Sequence, residues 1–307
     1  MIQKLLEQLR GLGTLSLMFL NTVFWFIPIM IGTVFKLVLP FAPVQRWLSA
    51  FLVGCATTWI SVNRWNMSRL MGFSMEITGD SDLSRERWYL VIANHQSWID
   101  VLALQFALNR KIPFLKFFIK QQLKWIPFLG QAWWALDMPF MKRYSKSYLM
   151  KHPEKKGSDL EATRRACEKF KDIPTSVINF VEGTRATAEK IAARGTAYKH
   201  LLPPRSGGIA FALGAMGPIL HQLVDVTVFY PNAKRRFWDL CCGRVGKVIV
   251  DVRLRELPAW LYRGDYATDI AFRQRFHTWL AEIWAEKDRR LARLIAAHEA
   301  GFYAQAA

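Results

Sequence analysis

The chain has few of the residues that build disulfide frameworks and metal sites. Its 307 residues include four cysteines, two of them adjacent at Cys241 and Cys242, and none belongs to a Cys-x-x-Cys pair. The six histidines are scattered, without the spacing that zinc ligands need. These absences argue against a disulfide-stapled secreted domain, disfavour a metal site and predict a reducing compartment for the folded part.

Acidic residues are also scarce. The 24 aspartates and glutamates face 42 lysines and arginines, which gives a formal net charge of +18. A chain this basic is attracted to polyanions, and nucleic acid, anionic lipid and phosphate-bearing small molecules are all candidates. Hydrophobic residues make up 52% of the chain. That share exceeds what a soluble core requires, so the surplus apolar surface favours a membrane as partner.

Charge is missing altogether from residues 11–35, which are almost continuously apolar. About 20 such residues span a bilayer, but Pro28 lies mid-segment, so both a kinked span and a helix that dips in and returns remain possible. A second uncharged stretch, residues 47–63, contains Thr, Ser and Gly and predicts an interfacial or packed helix. We therefore expect residues 1–70 to form N-terminal membrane-anchoring helices, with flanking cations such as Lys36 and Arg64 at a cytoplasmic membrane surface and the remaining chain facing the cytoplasm.

Beyond Arg69 the pattern changes to short β-type runs separated by turns and helices. Candidate strands are residues 74–78, 88–93, 176–181, 224–230 and 245–254, and candidate helices are 99–109, 158–171 and 208–215. This alternation predicts an α/β domain over 71–258, with a mainly parallel central sheet flanked by helices. Apolar residues at helical spacing predict a C-terminal amphipathic helical segment over 259–307 that packs on this domain or on the membrane, and we favour the domain.

Residues 114–130 place Lys116, Lys120 and Lys124 at four-residue spacing among aromatic side chains. If helical, this segment presents a cationic stripe beside an aromatic face. Two interpretations then stand: a membrane-surface helix, or a helix packed on the core with a solvated lysine edge.

His95 and Asp100 follow the apolar run at 88–93, at what should be the end of a buried strand. A histidine can take a proton from an alcohol near neutral pH, and a carboxylate can fix its tautomer. The alternative is a helix-capping aspartate beside an ordinary core histidine. Ser97 suggests a serine nucleophile, but it lacks the Gly-x-Ser-x-Gly elbow, so we do not expect a covalent acyl-enzyme.

A second predicted strand ends in Glu182-Gly183-Thr184-Arg185. Gly183 permits a tight turn, Arg185 offers a fork of donors suited to phosphate, and Glu182 could accept from a hydroxyl or hold the arginine. Two further basic elements, around Arg143 and Arg205, are anion-binding candidates or solvated loop cations.

Together these stretches resemble the glycerolipid acyltransferases that acylate lysophosphatidic acid and related lysophospholipids. Asn94-His95 with Asp100 looks like the family's Asn-His-x-x-x-x-Asp motif, residues 140–143 are similar to its second block, and residues 182–185 match its third. The gap between the second and third blocks and the stretch 202–208 are similar to the branch of lysocardiolipin and long-chain lysophospholipid acyltransferases. One departure lies in the fourth, proline-centred block, where the strand reaches a proline only at Pro231.

The resemblance implies the glycerolipid acyltransferase fold and a reaction without a covalent acyl-enzyme. His95, oriented by Asp100, would deprotonate the acceptor's free hydroxyl, expected at sn-2, for direct attack on an acyl thioester. A phosphate site would be formed by Arg143, Glu182, Gly183, Thr184, Arg185 and Arg205, and Asn94 would shape the loop.

The ligand spacings predict no metal, and the resemblance implies no cofactor, with acyl-CoA or acyl-carrier protein as co-substrate. The expected partners are the phospholipid bilayer, that donor and a lysophospholipid acceptor. The alternative is a non-enzymatic, membrane-tethered basic protein that binds anionic lipid or nucleic acid. Because the chain shows no RNA-binding, zinc-finger or basic-zipper signature, we expect no nucleic acid partner.

Overall fold

The fold is described from a computed structural model that covers residues 2–141, 161, 164–165, 167–171, 173–232 and 234–306. Helices are Ile2–Val38 (α1), Ala42–Met71 (α2), Ile99–Leu108 (α3), Leu129–Ala135 (α4), Ala188–Arg194 (α5), Gly207–Met216 (α6), Phe237–Cys241 (α7) and Ile270–Ala306 (α8). Strands are Ser74–Gly79 (β1), Tyr89–Ala93 (β2), Leu115–Phe117 (β3), Ile119–Lys120 (β4), Phe140–Met141 (β5), Ser176–Phe180 (β6), Gln222–Phe229 (β7) and Lys247–Glu256 (β8).

The two N-terminal helices form an antiparallel pair. The uncharged run of α1 is one continuous helix with Pro28 inside it, and this helix is long and apolar enough to cross a membrane. Helix α2 buries a face against it, and the buried Asn21 amide donates to Asn63 Oδ1 at 3.0 Å between the helices. The expectation of a packed second helix is therefore met. Gly72, with a left-handed φ of 61°, ends α2 and turns the chain into β1.

Six strands form the central sheet in the order β1-β8-β7-β2-β6-β3. Strands β7, β2, β6 and β3 run parallel to one another, whereas β8 pairs antiparallel with β7 and parallel with β1. The predicted α/β class with a mainly parallel sheet is confirmed. Strands β4 and β5 form a separate parallel pair.

Both faces of the sheet are covered, as in other largely parallel sheets. On β2, Tyr89, Val91 and Ala93 pack with α3 and part of α2, whereas Leu90 and Ile92 pack with α6 and α8. All five side chains are fully buried. This explains why the strand is an unbroken apolar run rather than an alternating one.

Helix α8 is part of the second of these layers. Its apolar stripe, with Phe276, Leu280 and Trp284, is buried against the sheet. This amphipathic helix therefore packs on the α/β domain, as favoured from the sequence. The proposed boundaries at residues 70 and 258 stay predictions.

Residues 114–130 do not form the helix on which the idea of a cationic stripe depends. They form β3, β4 and a 3-10 turn at Gln121–Trp125. Lys116 is buried, its Nζ donates to the Leu136 carbonyl at 3.1 Å, and it lies 4.3 Å from the centre of the Phe170 ring. Pairing of β3 with β6 therefore outweighs the helical spacing of the lysines. Six of the fourteen residues of the predicted helix at 158–171 lie outside the described residues.

Candidate active site

The predicted site residues converge where β2 and β6 end side by side. These strands are parallel neighbours, with Ala93 opposite Phe180, so both open toward the same edge of the sheet. From β2 the chain leads to β3 and β6 on one side, and later to β7 on the other. Such a switch point leaves a crevice beyond the carboxyl ends of the strands, where ligands of α/β sheets bind.

His95 and Asp100 are in direct contact. His95 Nδ1 lies 2.8 Å from Asp100 Oδ2, and the aspartate, in the first turn of α3, is fully buried. The same oxygen accepts from the backbone amides of Gln96 at 2.6 Å and Ser97 at 2.8 Å. The five-residue spacing thus folds the loop back on the start of the helix, which is the geometry that a fixed imidazole requires.

This contact determines which imidazole nitrogen is available for chemistry. A carboxylate only accepts hydrogen bonds, so Nδ1 carries the proton and Nε2 presents a lone pair. Among the described residues Nε2 has no hydrogen-bond partner. The ring stacks on Phe180, with centroids 4.2 Å apart and planes 21° apart, and the side chain is 16% exposed. His95 is therefore held rigidly with one basic nitrogen free.

Asn94 and Ser97 stabilise the backbone around His95 through side-chain hydrogen bonds to backbone groups. Asn94 is buried; its Nδ2 donates to the Val228 carbonyl at 2.9 Å, and its Oδ1 accepts from the Val228 amide at 2.8 Å. It thereby ties the loop to β7. Ser97 Oγ donates to the Arg235 carbonyl and accepts from the Ile99 amide at the start of α3. Ser97 does not contact the imidazole through either bond.

The turn after β6 packs against residues 94–98, the loop between β2 and α3 that carries His95 and is called the histidine loop below. Gly183 has a φ of 67°, which favours glycine, and its amide donates to the Phe180 carbonyl at 3.0 Å. The Ala186 amide donates to the His95 carbonyl at 2.6 Å. The two predicted blocks therefore form one continuous unit.

Two of the predicted arginines lie at this turn: Arg185 is part of it, and Arg205 reaches it from the loop before α6. The exposed Arg185 guanidinium lies 5.0 Å from the ring centre of Trp98, which is itself 63% exposed. The Arg205 amide donates to the Val181 carbonyl at 2.8 Å, and its side chain runs past Gly183, where an added Cβ would lie 3.0 Å from Arg205 Cδ. Arg185 and Arg205 thus present two cations beside His95.

Thr184 Oγ1 accepts from Lys190 Nζ at 3.1 Å, and the same amine donates to the Arg185 carbonyl at 3.0 Å. Lys190 is a third cation here, which the motif did not predict. Arg143, the remaining predicted phosphate ligand, lies outside the described residues.

Glu182 is buried, unlike its neighbours Gly183 and Arg185 on the same turn. Its side chain is fully buried, and neither carboxyl oxygen makes a hydrogen bond of acceptable geometry among the described residues. Burial raises its pKa to about 8, although the nearby His95 amide and the charge of Lys287 act in the opposite direction. Its part in a phosphate site stays a prediction, and its burial allows it to support the turn but not to contact a phosphate directly.

The sequence model of the Acyltransferase family matches residues 74–230, just over half of the chain and all of the predicted site residues. The chain belongs to the Acyltransferase family. The resemblance noted from the motifs is thereby confirmed, and the chain is an enzyme like the 1-acylglycerol-3-phosphate O-acyltransferases.

Individual relatives are distant. The chain is 27% identical to zebrafish (Danio rerio) lysocardiolipin acyltransferase 1 over 300 residues, which cover 92% of this chain and 71% of that protein. It is 26% identical to the 1-acyl-sn-glycerol-3-phosphate acyltransferase of Saccharomyces cerevisiae, over 57% of this chain and 51% of the yeast protein.

The crystal structure of the 1-acyl-sn-glycerophosphate (LPA) acyltransferase PlsC from Thermotoga maritima has the same fold. It matches with a TM-score of 0.54 and 16% identity, over 95% of this chain and 97% of that one.

Besides Lys190, two residues of the candidate site were not predicted from sequence. Tyr230, just past β7, donates from its hydroxyl to Asp100 Oδ1 at 2.6 Å, and Arg235 Nη1 donates to Gln96 Oε1 at 2.6 Å. A usable signal existed for Tyr230, because it is the last residue of the predicted strand at 224–230. In the structure this strand is β7, which pairs in parallel with β2. None existed for Arg235, since a loop cation has no periodicity.

Proposed function

We propose that the chain transfers a fatty acyl group from an acyl thioester to the free sn-2 hydroxyl of lysophosphatidic acid or a related lysophospholipid. The observation that carries this proposal is the His95–Asp100 pair, held at the end of β2 beside the arginine-bearing turn that follows β6. The acyltransferase family membership favours this function over a non-enzymatic basic protein.

In the proposed step His95 acts as a general base. Nε2 takes the proton of the acceptor hydroxyl while that oxygen forms a bond to the thioester carbonyl carbon. The resulting adduct collapses, the carbon–sulfur bond breaks, and the thiolate takes the proton back from the imidazolium, which returns His95 to its neutral form. Asp100 stabilises the intervening imidazolium. Support for direct transfer comes from Ser97, whose hydroxyl is engaged by backbone groups instead of by His95.

The acceptor phosphate would be held by Arg185 and Arg205, with Arg143 as a further ligand. Both described arginines are exposed, and no carboxylate of the described residues pairs with either. Arginine forks suit phosphate. Arg185 lies on the turn that contacts the loop of His95, and the Arg205 side chain packs against Gly183 of that turn. Gly183 and Thr184 would shape this turn, and Glu182 would support it.

The donor is proposed to be acyl-CoA or acyl-carrier protein, and the bilayer to be the source of the acceptor. The apolar α1 and the net charge of +18 support attachment to an anionic membrane with the catalytic domain on its cytoplasmic side.

The test is an acyl-transfer assay on purified protein in lipid, with a panel of lysolipids and both donor types. We expect His95→Ala to abolish transfer, by at least about 10³-fold because general-base catalysis and orientation are lost together. It should leave membrane association unchanged. His221→Ala, a change at an exposed histidine before β7, is the matched control and should retain activity. A folded His95→Ala protein that acylates lysolipid at the parent rate would refute the mechanism.

A further inference from the structure

The two oxygens of the buried Asp100 carboxylate have different partners. Oδ2 faces His95 Nδ1 and the amides of Gln96 and Ser97. Oδ1 accepts from one group among the described residues, the hydroxyl of Tyr230 at 2.6 Å. The orientation of the carboxylate therefore depends on donors to both oxygens: three from residues 95–97 and one from Tyr230, directly after β7.

Tyr230 is placed for this bond by the sheet. It follows directly after β7, and two residues before it Val228 is bonded through both backbone groups to Asn94. The strand end thus has a fixed register against the histidine loop. The tyrosine is 4% exposed, and burial, together with the charge of Asp100, raises its pKa well above the ordinary value. Its hydroxyl accordingly remains protonated and donates.

We propose that Tyr230 is a positioning residue of the reaction: its hydroxyl fixes Asp100 Oδ1 so that Oδ2 stays aimed at His95. This inference rests on the proposed function of His95 as general base. Tyr230 touches neither acceptor nor donor in this scheme and acts through the aspartate. A hydrogen bond to a buried carboxylate is among the stronger kinds, and its loss leaves an oxygen that water cannot reach.

The hydroxyl also moderates the charge that His95 experiences. Without this donor the carboxylate would hold the imidazolium more tightly, so His95 would lose its proton at higher pH. Other charged groups near the pair are the Arg235 guanidinium, whose charge acts on Tyr230, and Glu182, whose pKa the charge of Asp100 helps to raise. The exposed guanidinium groups of Arg185 and Arg205 lie at the same end of the sheet. All four groups remain in a Tyr230 variant, so the shift is assigned to the lost hydroxyl.

The first test is Tyr230→Phe. We expect kcat to fall about tenfold, which corresponds to about 1.4 kcal/mol, with the acceptor KM nearly unchanged. The acid limb of the pH–rate profile should move to higher pH. Tyr89→Phe is the matched control, because Tyr89 is equally buried at the start of β2 and its hydroxyl accepts from the Ser84 amide. It should lower stability without moving the acid limb.

A second measurement does not require turnover. Carbethoxylation of His95, followed against pH by peptide mass spectrometry, should show the same shift to higher pH in Tyr230→Phe. If Tyr230→Phe fails to fold, 3-fluorotyrosine at position 230 keeps the hydroxyl as a stronger donor and should shift the profile to lower pH. The proposal is overturned if the profile stays in place in these variants, or if Tyr89→Phe moves it equally. If the wild-type protein shows no acyl transfer but His95 carbethoxylation still shifts to higher pH in Tyr230→Phe, the proposed function is wrong while the positioning of His95 stands.

Discussion

At the residue scale, burial makes the pKa of Glu182 very different from that of an exposed glutamate. A carboxylate with no hydrogen-bond partner is costly to bury, so the neutral acid is favoured. With a pKa of about 8 against an ordinary value of 4.5, the folded protein binds a proton at neutral pH that the unfolded chain releases. A protonated Glu182 also adds no second negative charge near Asp100, whose own charge contributes to the raised pKa of Glu182.

This difference predicts how stability depends on pH. Because the folded state binds more protons than the unfolded state between pH 4.5 and about 8, stability should fall as pH rises through that window. The full effect is of the order of 5 kcal/mol. Glu182→Gln, which mimics the neutral acid, should flatten this dependence and be more stable than wild type above pH 8. Urea unfolding in detergent at pH 5, 6.5 and 8 measures it.

Glu256→Gln is the matched control for that experiment, because Glu256 is exposed at the end of β8. It should leave the pH dependence as in wild type. A Glu182→Gln variant that keeps the wild-type slope between pH 5 and 8 would show that Glu182 is ionised in the folded protein.

Arg185 should matter for the acceptor rather than for the chemical step. We expect Arg185→Ala to raise the acceptor KM by about tenfold or more, since charge-assisted bonds to phosphate are lost, with kcat reduced less. Arg185→Lys should restore little, because an ammonium cannot make the forked contact. Initial rates at varied acceptor and fixed donor measure this effect.

Arg263→Ala, at an exposed arginine beyond β8, controls for the loss of one positive charge. An unchanged acceptor KM in Arg185→Ala would remove Arg185 from the phosphate site. A change in the donor KM alone would place it on the donor side.

At the element scale, α8 connects the face of the sheet that it covers with the loop at residues 199–205. Asp288 accepts from the amides of Lys199 at 2.9 Å and His200 at 2.8 Å, and Trp284 Nε1 donates to the Leu202 carbonyl at 2.8 Å. These bonds hold the loop that carries Arg205. Helix α8 therefore positions a candidate phosphate ligand as well as covering the core.

The elements also show what sequence could predict. Strand β2, its histidine loop and α3 were predicted to within a residue or two, because an unbroken apolar run followed by polar residues has few other solutions. The segment around Lys116 was not, since its four-residue spacing mimics a helix while pairing with β6 decides its structure. Tyr230 was missed for a related reason: its partner Asp100 is 130 residues away, and only the register of β7 on β2 brings them together.

At the scale of the whole molecule, α1 lies against the rest of the protein near both of its ends. Trp238 Nε1 on α7 donates to Gln8 Oε1 at 2.9 Å, and Lys36 Nζ forms an ion pair with Asp137 at 2.7 Å. The helix is about 55 Å long, well beyond the ~30 Å of a hydrocarbon core. A helix that keeps both contacts stays beside the catalytic domain along its length. We therefore expect it to lie in one leaflet instead of crossing the bilayer.

Single cysteines near the two ends of α1 distinguish these arrangements. Leu6 and Leu37 are 52% and 67% exposed, and the four native cysteines are all buried. In sealed vesicles, a membrane-impermeant maleimide should label Leu6→Cys and Leu37→Cys from the same side. Labelling of one position, with the other protected until detergent is added, would show that α1 crosses the membrane. Lys36→Met, which breaks the ion pair with Asp137, should leave both labels on one side if apolar contacts such as Phe26 with Phe128 hold the helix in place.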